Sequence, residues 1–148
     1  MWEYEHSVET TADRATLWSC WSDMATWPEW NAGIAEIRVE GPFAVGTAFA
    51  MTAPGEDEPV RMRLTEIVPG ERFTDEMDGG DFVVRTDHRL EPAGEGRTRV
   101  VYRTEITGPA GDEVGAQLGP AITADFPDVL AALVRRAESR AGDRAPAP

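Results

Sequence analysis

The sequence contains no lysine and only one cysteine, Cys20. A single cysteine excludes an internal disulfide and any metal site built from several thiolates. The 14 basic residues, all arginine, stand against 27 aspartates and glutamates, which gives a formal net charge of −13. A field of that sign repels the phosphates of nucleic acids and of anionic membranes. We therefore expect neither nucleic acid nor membrane as a partner.

Long hydrophobic runs are also missing. No apolar segment approaches the ~20 residues that span a bilayer. The first ten residues, MWEYEHSVET, carry acids where a secretory signal has basic and apolar residues. We expect a cytoplasmic protein, monomeric or homodimeric. The 148 residues are close to the ~150 of one typical domain, so we predict a single domain over residues 1–141 and a flexible, proline-rich tail over 142–148.

What the sequence does contain is a series of short alternating segments. Apolar and polar residues alternate along residues 1–10, the pattern of a half-buried strand. A short helix is predicted next, over 12–23. Residues 24–31, which Pro28 interrupts, predict a second short helix or a tight turn. Six more strands are predicted between Gly- and Pro-containing turns; they span 32–40, 47–53, 60–68, 72–78, 82–91 and 97–107. Such short links favour antiparallel hairpins.

The last segment changes its period. Apolar residues recur every three or four positions, as in an amphipathic helix; they are Ile122, Phe126, Val129, Leu130, Leu133 and Ala137. Pro127 lies inside this pattern and predicts a kink or a restart of the helix. The predicted fold class is α+β, an antiparallel sheet covered by a long C-terminal helix. A sheet wrapped around a helix leaves room for a ligand between the two.

Several segments match the order of elements in a known superfamily; they are Ser7-Val8-Glu9, Leu17-Trp18, Asp23 with residues 27–31 (WPEWN), Val45-Gly46-Thr47, residues 66–73 (EIVPGERF), residues 87–92 (DHRLEP) and residues 96–100. Together they resemble the START-like helix-grip (SRPBCC) superfamily, and most closely its bacterial polyketide cyclase/dehydrase branch. The resemblance implies a curved seven-stranded sheet around a long C-terminal helix, with two short helices between strands 1 and 2. It also implies a deep apolar pocket and no obligatory cofactor.

Three polar residues fall on strand faces that are otherwise apolar. Asp75 shares its face with Phe73 and Met77, which predicts either a buried acid with a partner or ligand, or a bulge that turns it into solvent. His88 is a candidate general base or a packing histidine. Tyr102 is a candidate hydrogen-bond donor or a core tyrosine. We predict these three as the catalytic residues, if the protein is an enzyme.

The predicted ligand-binding residues share an inward position on the predicted strands and helices; they are Tyr4, His6, Trp27, Trp30, Phe49, Met51, Met62, Phe73, Met77, Phe82, Val84, Thr86, Thr104, Ile122, Phe126 and Leu130. Trp18, Trp21, Trp27 and Trp30 either border the pocket entrance or pack the short helices on the sheet. No metal site is predicted, because two histidines without a local spacing motif do not make one.

Three functions are compatible with these features. The favoured hypothesis is a binding module for a hydrophobic or aromatic small molecule, used for transport, sequestration or a polyketide-related role. The alternative is a polyketide cyclase, aromatase or dehydratase. No arginine alternates inward on the predicted strands, which weakens that alternative, since a cation commonly stabilises a developing enolate. A second alternative is an interaction domain like the chaperone-associated members of the superfamily.

Overall fold

Seven antiparallel strands form one sheet in the computed structural model, which describes residues 1–143. The strands are β1 (Trp2–Thr10), β2 (Glu36–Val39), β3 (Ala48–Thr52), β4 (Val60–Val68), β5 (Arg72–Asp78), β6 (Val83–Pro92) and β7 (Thr98–Thr107). Their order in the sheet is β1-β7-β6-β5-β4-β3-β2. Each consecutive pair from β2 to β7 is a hairpin, and β1 closes the sheet beside β7.

The helices cover one face of this sheet. Helix α1 (Arg14–Ser22), a 3₁₀ turn (Met24–Thr26) and helix α2 (Trp27–Trp30) connect β1 to β2. Helices α3 (Gly111–Thr123) and α4 (Phe126–Asp143) follow β7 and pack on β1, while α4 also contacts α1 and α2. The predicted fold class, α+β with a helix-grip arrangement, is confirmed. No helix within residues 1–143 is long and apolar enough to span a bilayer.

The C-terminal helix is divided in two, as Pro127 predicts. Helix α3 ends at Thr123 and α4 begins at Phe126, one residue before the proline. Proline fits the first turn of a helix because its missing N–H has no partner there in any case. Helix α4 extends through Asp143, two residues into the segment predicted as a tail. The rest of that tail, residues 144–148, lies outside the described residues.

Strand β2 starts four residues later than predicted, and β3, β6 and β7 each start one residue later. The predicted strand over 32–40 begins at Glu36, because Asn31 organises a turn in which its side-chain oxygen accepts from the Gly33 N–H and its carbonyl accepts from the Ile34 N–H. Phe82 precedes β6 and covers the turn before it. A Cβ on Gly79 would lie 2.3 Å from the Phe82 ring, so only glycine leaves room for that ring.

The core lies between the sheet and the helices. It joins Leu17 and Trp21 from α1 to Phe73 on β5 and to Leu130 and Leu133 on α4, all of them fully buried. The opposite face of the sheet is polar. There Arg89 and Arg103 form ion pairs with Glu5 of β1 and with neighbouring carboxylates. The inward and outward faces of the strands follow the alternation in the sequence.

Candidate functional site

A cavity of about 510 Å³ lies between the inner face of the sheet and the helices. Its walls are predominantly apolar, and three tryptophans from α1 and α2 border it. The lining residues are Trp21, Trp27, Trp30, Asn31, Gly33, Ile34, Met51, Ala53, Val60, Met62, Phe73, Asp75, Met77, Val84, Thr86, His88, Tyr102, Leu118, Ile122, Asp125, Phe126 and Val129. Within residues 1–143, no arginine lines this cavity.

Strand register arranges the polar side chains of the cavity floor in two adjacent rows. One row crosses β5, β6, β7 and β1 through Phe73, His88, Tyr102 and His6. The next row crosses the same strands through Asp75, Thr86, Thr104 and Tyr4. Directly opposed residues on antiparallel strands point to the same face. The three predicted catalytic residues therefore share one floor.

Asp75 is buried on this floor, with 4% of its surface exposed. Within the described residues its carboxyl group has no hydrogen bond and no ion pair. Burial raises the pKa of Asp75 to about 8, and the negative charge of Glu76 adds to the rise. The group is therefore mostly a neutral carboxylic acid at pH 7. In that form it can donate one hydrogen bond and accept others.

A β-bulge does occur beside Asp75, but in the neighbouring strand. The register between β4 and β5 shifts between Leu64 and Glu66, and Leu64 is the residue opposite Asp75. The extra residue, Thr65, is accommodated in β4. Strand β5 continues regularly to Asp78, so Asp75 keeps its inward orientation. The predicted alternative, a bulge that exposes Asp75 to solvent, is wrong.

His88 is a neutral histidine held by the backbone. Its Nδ1 lies 3.2 Å from the carbonyl oxygen of Phe73, and because a carbonyl only accepts, Nδ1 carries the hydrogen. Burial lowers the pKa of His88 to about 3, although this hydrogen bond acts in the opposite direction. Its ring stacks on Phe73 with centroids 4.0 Å apart. The lone pair of Nε2 has no partner within residues 1–143, so it is an available acceptor.

Tyr102 is oriented by a tryptophan. The Trp21 Nε1–H donates to the Tyr102 hydroxyl oxygen at 3.1 Å, which leaves the phenolic hydrogen available as a donor. Burial raises the pKa of Tyr102, so the phenol stays protonated at physiological pH. The ring also packs edge-on against His88, with centroids 4.6 Å apart. Tyr102 is therefore a core residue that also lines the cavity.

A pair of threonine hydroxyls completes the floor. The Oγ atoms of Thr86 and Thr104 lie 2.9 Å apart. Thr104 is fully buried, whereas Thr86 borders the cavity. If Thr104 donates to Thr86, both buried hydroxyl groups are satisfied and the Thr86 hydrogen is free for a cavity ligand. Thr86 lies directly opposite Asp75, so both groups can reach the same ligand atom.

The α2–β2 loop and the junction of α3 with α4 meet at the solvent-exposed edge of the cavity. A Cβ on Gly33 would lie 2.8 Å from Oδ2 of Asp125 and 3.2 Å from Oδ1 of Asn31, so these segments approach closely. Partial burial raises the pKa of Asp125. Two exposed apolar side chains, Val60 and Leu118, also line the cavity near solvent. The opening therefore has an apolar rim that includes one carboxylate.

Most of the residues predicted from alternation lie on this cavity. They are Asp75, His88, Tyr102, Trp27, Trp30, Met51, Met62, Phe73, Met77, Val84, Thr86, Ile122 and Phe126. Trp27 and Trp30 border the cavity, and Trp27 also packs against Phe49 and Phe73. Trp18 packs on Trp21 and Phe43 away from the cavity. Trp21, Trp27 and Trp30 therefore line the cavity, whereas Trp18 only packs against its neighbours.

Six predicted ligand-binding residues do not line the cavity, which corrects their placement. Tyr4 packs on Phe126 at 6.0 Å between ring centroids, and His6 lies on the same edge strand, which α3 and α4 cover. Thr104 is behind Thr86, to which it is hydrogen-bonded.

The other three corrections concern apolar residues. Phe49 is buried edge-on against Trp27, and Leu130 is fully buried in the core on α4. Phe82 covers Gly79 in the turn before β6. Alternation predicts which face a side chain occupies, but it does not predict whether core atoms or open space lie in front of it.

Nine lining residues were not predicted as ligand-binding; they are Trp21, Asn31, Gly33, Ile34, Ala53, Val60, Leu118, Asp125 and Val129. Trp21 and Val129 carried a usable signal in their helical spacing with neighbouring apolar residues. Leu118 lies within α3, four residues before Ile122, so its helical spacing also carried a signal. The others lie at strand ends, in the α2–β2 loop or at the helix junction, where no periodicity indicates direction. No group of three His, Cys, Asp or Glu residues able to hold a metal ion occurs within residues 1–143.

Solved structures share this architecture. The Zhui aromatase/cyclase from Streptomyces sp. R1128 superposes with a TM-score of 0.77 at 16% identity, covering 97% of this chain and 96% of that one. Norcoclaurine synthase from Thalictrum flavum, in complex with dopamine and hydroxybenzaldehyde, gives 0.72 at 20% identity, covering 98% and 88%. The protein TTHA0849 from Thermus thermophilus gives 0.71 at 18% identity, covering 93% and 98%.

These likenesses show the fold, that of a helix-grip protein. The family described as "Polyketide cyclase / dehydrase and lipid transport" matches residues 1–138, and the chain belongs to that family. No curated protein matches the sequence significantly. Membership supports a role in ligand binding or cyclisation, and the residues of this chain have to decide between the two.

Proposed function

We propose that the chain binds a hydrophobic or aromatic small molecule in the cavity above β5 and β6, as a carrier, a sequestering protein or a component of a polyketide-related process. The observation that carries this proposal is the buried carboxyl group of Asp75, which has no hydrogen-bond partner within residues 1–143 and lines a predominantly apolar cavity. A buried polar group without a partner is costly, and a ligand with a complementary polar group would remove that cost. The volume of about 510 Å³ lies in the ordinary range for small-molecule sites.

The aromatic lining of the cavity favours a flat ligand. His88 stacks on Phe73 with their planes 5° apart, and Trp27 is tilted by 31° to Phe73. Aromatic ligands gain from offset stacking and from edge contacts with such rings. Polar groups lie mainly on the floor of the sheet, as Asp75, Thr86 and Tyr102 do, while Asn31 and Asp125 line the cavity away from the floor. A ligand whose polar groups lie along the edge that faces the floor fits this arrangement.

Thermal denaturation with a panel of flat aromatic compounds tests the proposal. A ligand that binds only the folded state raises the melting temperature. Two exposed valines provide a matched pair of variants, since Val60 lines the cavity opening and Val45 does not. Val60→Trp should reduce the ligand-induced rise in melting temperature by at least half, because the indole narrows the opening. Val45→Trp should leave the shift unchanged. The proposal fails if no compound shifts the melt, or if both variants respond alike.

A second candidate function is cyclisation or dehydration, and one observation favours it: a neutral acid and an unprotonated base occupy one floor. In an aldol-type ring closure, Nε2 of His88 would take a proton from a substrate carbon. That carbon would attack a carbonyl within the same substrate, and Asp75 would deliver a proton to the carbonyl oxygen. The pKa of His88, about 3, makes it a weak base at pH 7. No cation lines the described cavity to stabilise an enolate, and we therefore place binding first.

A linear poly-β-keto thioester is the probe for this second function. If the chain catalyses ring closure, the wild type accelerates loss of the linear compound, and His88→Gln and Asp75→Asn each lower the rate about 100-fold, the lower range of a positioned acid or base. Glu95→Gln in the exposed β6–β7 turn makes the same carboxylate-to-amide change far from the floor and should have no effect. If the wild type does not accelerate the reaction, the cyclisation function fails and ligand binding is the only proposed function that remains.

A further inference from the structure

We infer that the ligand is a hydrophobic organic cation, an amine or quaternary ammonium compound whose charged group lies between the Asp75 carboxylate and the tryptophan rings; this inference rests on the proposed binding function. It concerns the charge of the ligand, which neither the fold nor the family determines. Four features support it: the charges that line the cavity, its aromatic rings, the field of the whole protein and the proton on Asp75.

The first feature is the sign of the charges that reach the cavity. Two carboxylic acids line it, Asp75 on the floor and Asp125 at the opening. No arginine lines it within residues 1–143, and the sequence has no lysine. The other titratable side chains on the cavity, His88 and Tyr102, are neutral at pH 7. A cation entering the cavity meets only neutral or negative groups, whereas an anion finds no positive partner.

The second feature is the density of aromatic rings. Six aromatic side chains line the cavity, namely Trp21, Trp27, Trp30, Phe73, Tyr102 and Phe126. The face of an aromatic ring attracts cations, and tryptophan attracts them most strongly. Clusters of such rings bind methylated ammonium groups, which have no hydrogens to donate. An acid and three tryptophans that line the same cavity supply the two elements that this recognition needs.

The third feature is the field of the whole protein. The formal net charge is −13, and Asp125 adds a negative charge at the opening itself. Fields of one sign focus oppositely charged ligands into clefts and raise their association rates. The arginines of the sheet lie on the outer face, where Arg89 and Arg103 are paired with carboxylates. They do not reverse the field inside the cavity.

The fourth feature is the proton on Asp75. The groups around it are Thr86 and Leu64 on the adjacent strands, His88 and Tyr102 on the same floor, Glu76 on the outer face of β5, and Asp125 across the cavity. None of these is a cation. A bound ammonium group would take the place of the Asp75 proton and keep the site neutral. A neutral ligand would leave that proton in place.

These two cases respond to pH in opposite directions. Binding of a permanent cation releases one proton from Asp75, so its affinity should rise about tenfold per unit of pH below the pKa of about 8 and then level off. A neutral ligand that accepts a hydrogen bond from the protonated acid should bind equally well up to that pH and more weakly above it. A purely apolar ligand should show no such dependence.

Benzyltrimethylammonium and neopentylbenzene are suitable probes, because the second replaces the ammonium nitrogen of the first with carbon and keeps its shape. Their dissociation constants would be measured by competition and calorimetry between pH 6 and pH 9. We expect the cation to bind wild type at least tenfold more tightly than its isostere above pH 8. Asp75→Asn should remove that preference and the pH dependence, while Glu95→Gln should retain both.

The outcomes separate this inference from the function on which it rests. If the isostere binds as tightly as the cation, or if the affinity for the cation does not change with pH, the inference about charge is overturned and apolar binding stands. The same holds if Asp75→Asn binds the cation as the wild type does. If neither probe binds and no compound of the aromatic panel shifts the melt, the binding function itself fails.

Discussion

Asp75 and His88 are buried titratable groups whose pKa values move in opposite directions, for the same reason. Burial disfavours the charged form of each, so the acid retains its proton and the histidine does not acquire one. The unfolded chain titrates Asp75 near 3.8 and the folded protein near 8. The unfolded chain titrates His88 near 6.5 and the folded protein near 3. Both differences make the free energy of unfolding depend on pH.

Between pH 3.8 and 8, folded Asp75 holds a proton that the unfolded chain has lost, so stability falls as pH rises. Between pH 3 and 6.5, unfolded His88 holds a proton that the folded protein lacks, so stability rises with pH. The contributions of Asp75 and His88 to stability oppose each other where their pH ranges overlap. Above pH 6.5, of the two only Asp75 makes stability depend on pH. We predict that the free energy of unfolding of wild type falls by about 2 kcal/mol from pH 6.5 to pH 8.

Urea denaturation of wild type and Asp75→Asn at these two pH values measures this effect. The amide has no proton to lose, so the variant should show little of the decrease. Glu95→Gln should behave as the wild type does. Equal slopes for wild type and Asp75→Asn would mean that the carboxyl group is hydrated in solution and titrates normally.

Tyr102 provides a second test at the level of one atom. Tyr102→Phe removes the oxygen that accepts from the Trp21 indole N–H and leaves that buried donor without its partner. We predict a loss of about 1–3 kcal/mol in the free energy of unfolding. Tyr4→Phe is the matched control, because the Tyr4 hydroxyl has no hydrogen bond within residues 1–143. Equal losses in the two variants would contradict the assigned role of Tyr102.

At the scale of elements, helix α3 is attached to β1 through a tryptophan. Gly111, Gly115 and Gly119 recur every four residues on the buried side of α3. The Trp2 side chain lies over two of them: a Cβ on Gly115 would be 2.1 Å from the Trp2 Cβ, and one on Gly119 would be 2.5 Å from the indole. Glycine has a low helix propensity, so these residues weaken α3 locally. In return, the absence of a side chain lets α3 approach Trp2 and the sheet closely.

This contact predicts a reversed effect of substitution. Glycine to alanine inside a helix ordinarily stabilises it by up to ~1 kcal/mol, but Gly115→Ala should destabilise the protein, because the new methyl group collides with Trp2. In a Trp2→Ala background the same substitution should regain the ordinary stabilising sign. Thermal or urea unfolding of the four proteins in this double-mutant cycle tests it. A stabilising Gly115→Ala in wild type would show that α3 does not pack closely on β1.

The elements themselves were predictable where one face of a strand or helix is buried. Alternation in β5, β6 and β7 correctly predicts the inward faces of Phe73, His88 and Tyr102, since a strand with one wet face must alternate. The late start of β2 was not predictable, because it depends on a turn that Asn31 forms with its own neighbours. Phe82 continues the alternating pattern of β6 in the sequence, yet its ring packs against Gly79 in the preceding turn and not on the cavity.

At the scale of the whole molecule, the excess of negative charge is the dominant electrostatic feature. The surface ion pairs of the arginines are exposed or half-exposed, and such pairs contribute between zero and about 1 kcal/mol each. Self-repulsion among the remaining acids opposes folding. Raising NaCl from about 10 mM to about 150 mM shortens the Debye length from about 30 Å to about 8 Å.

We predict that this change raises the melting temperature, because screening reduces a repulsion that acts over the whole surface. Differential scanning calorimetry at constant pH measures it. Sucrose solutions of equal osmolality serve as a control for effects that do not depend on charge. A melting temperature that falls with salt would mean that the arginine–carboxylate pairs on the outer face outweigh the repulsion.

The form of the cavity is a property of the whole molecule, and it is the feature that the sequence predicts least well. The residues of the floor follow from strand periodicity, so Asp75, Thr86 and His88 were identifiable. The opening depends on how the α2–β2 loop meets the junction of α3 and α4, which places Asp125 beside Gly33. No periodic pattern relates two segments so far apart in the sequence. The orientation of Asp75 also required the register of β4, where the bulge lies.

The position of Trp21, Trp27 and Trp30 around the cavity gives the protein a built-in optical reporter. Trp21 is fully buried and Trp27 nearly so, so their emission should be blue-shifted before anything is added. A bound ligand that absorbs at the emission wavelength or quenches fluorescence would lie in the cavity that these three tryptophans line. Occupancy could then be followed by intrinsic emission, without a dye or a tag, even for compounds whose transformation has no assay.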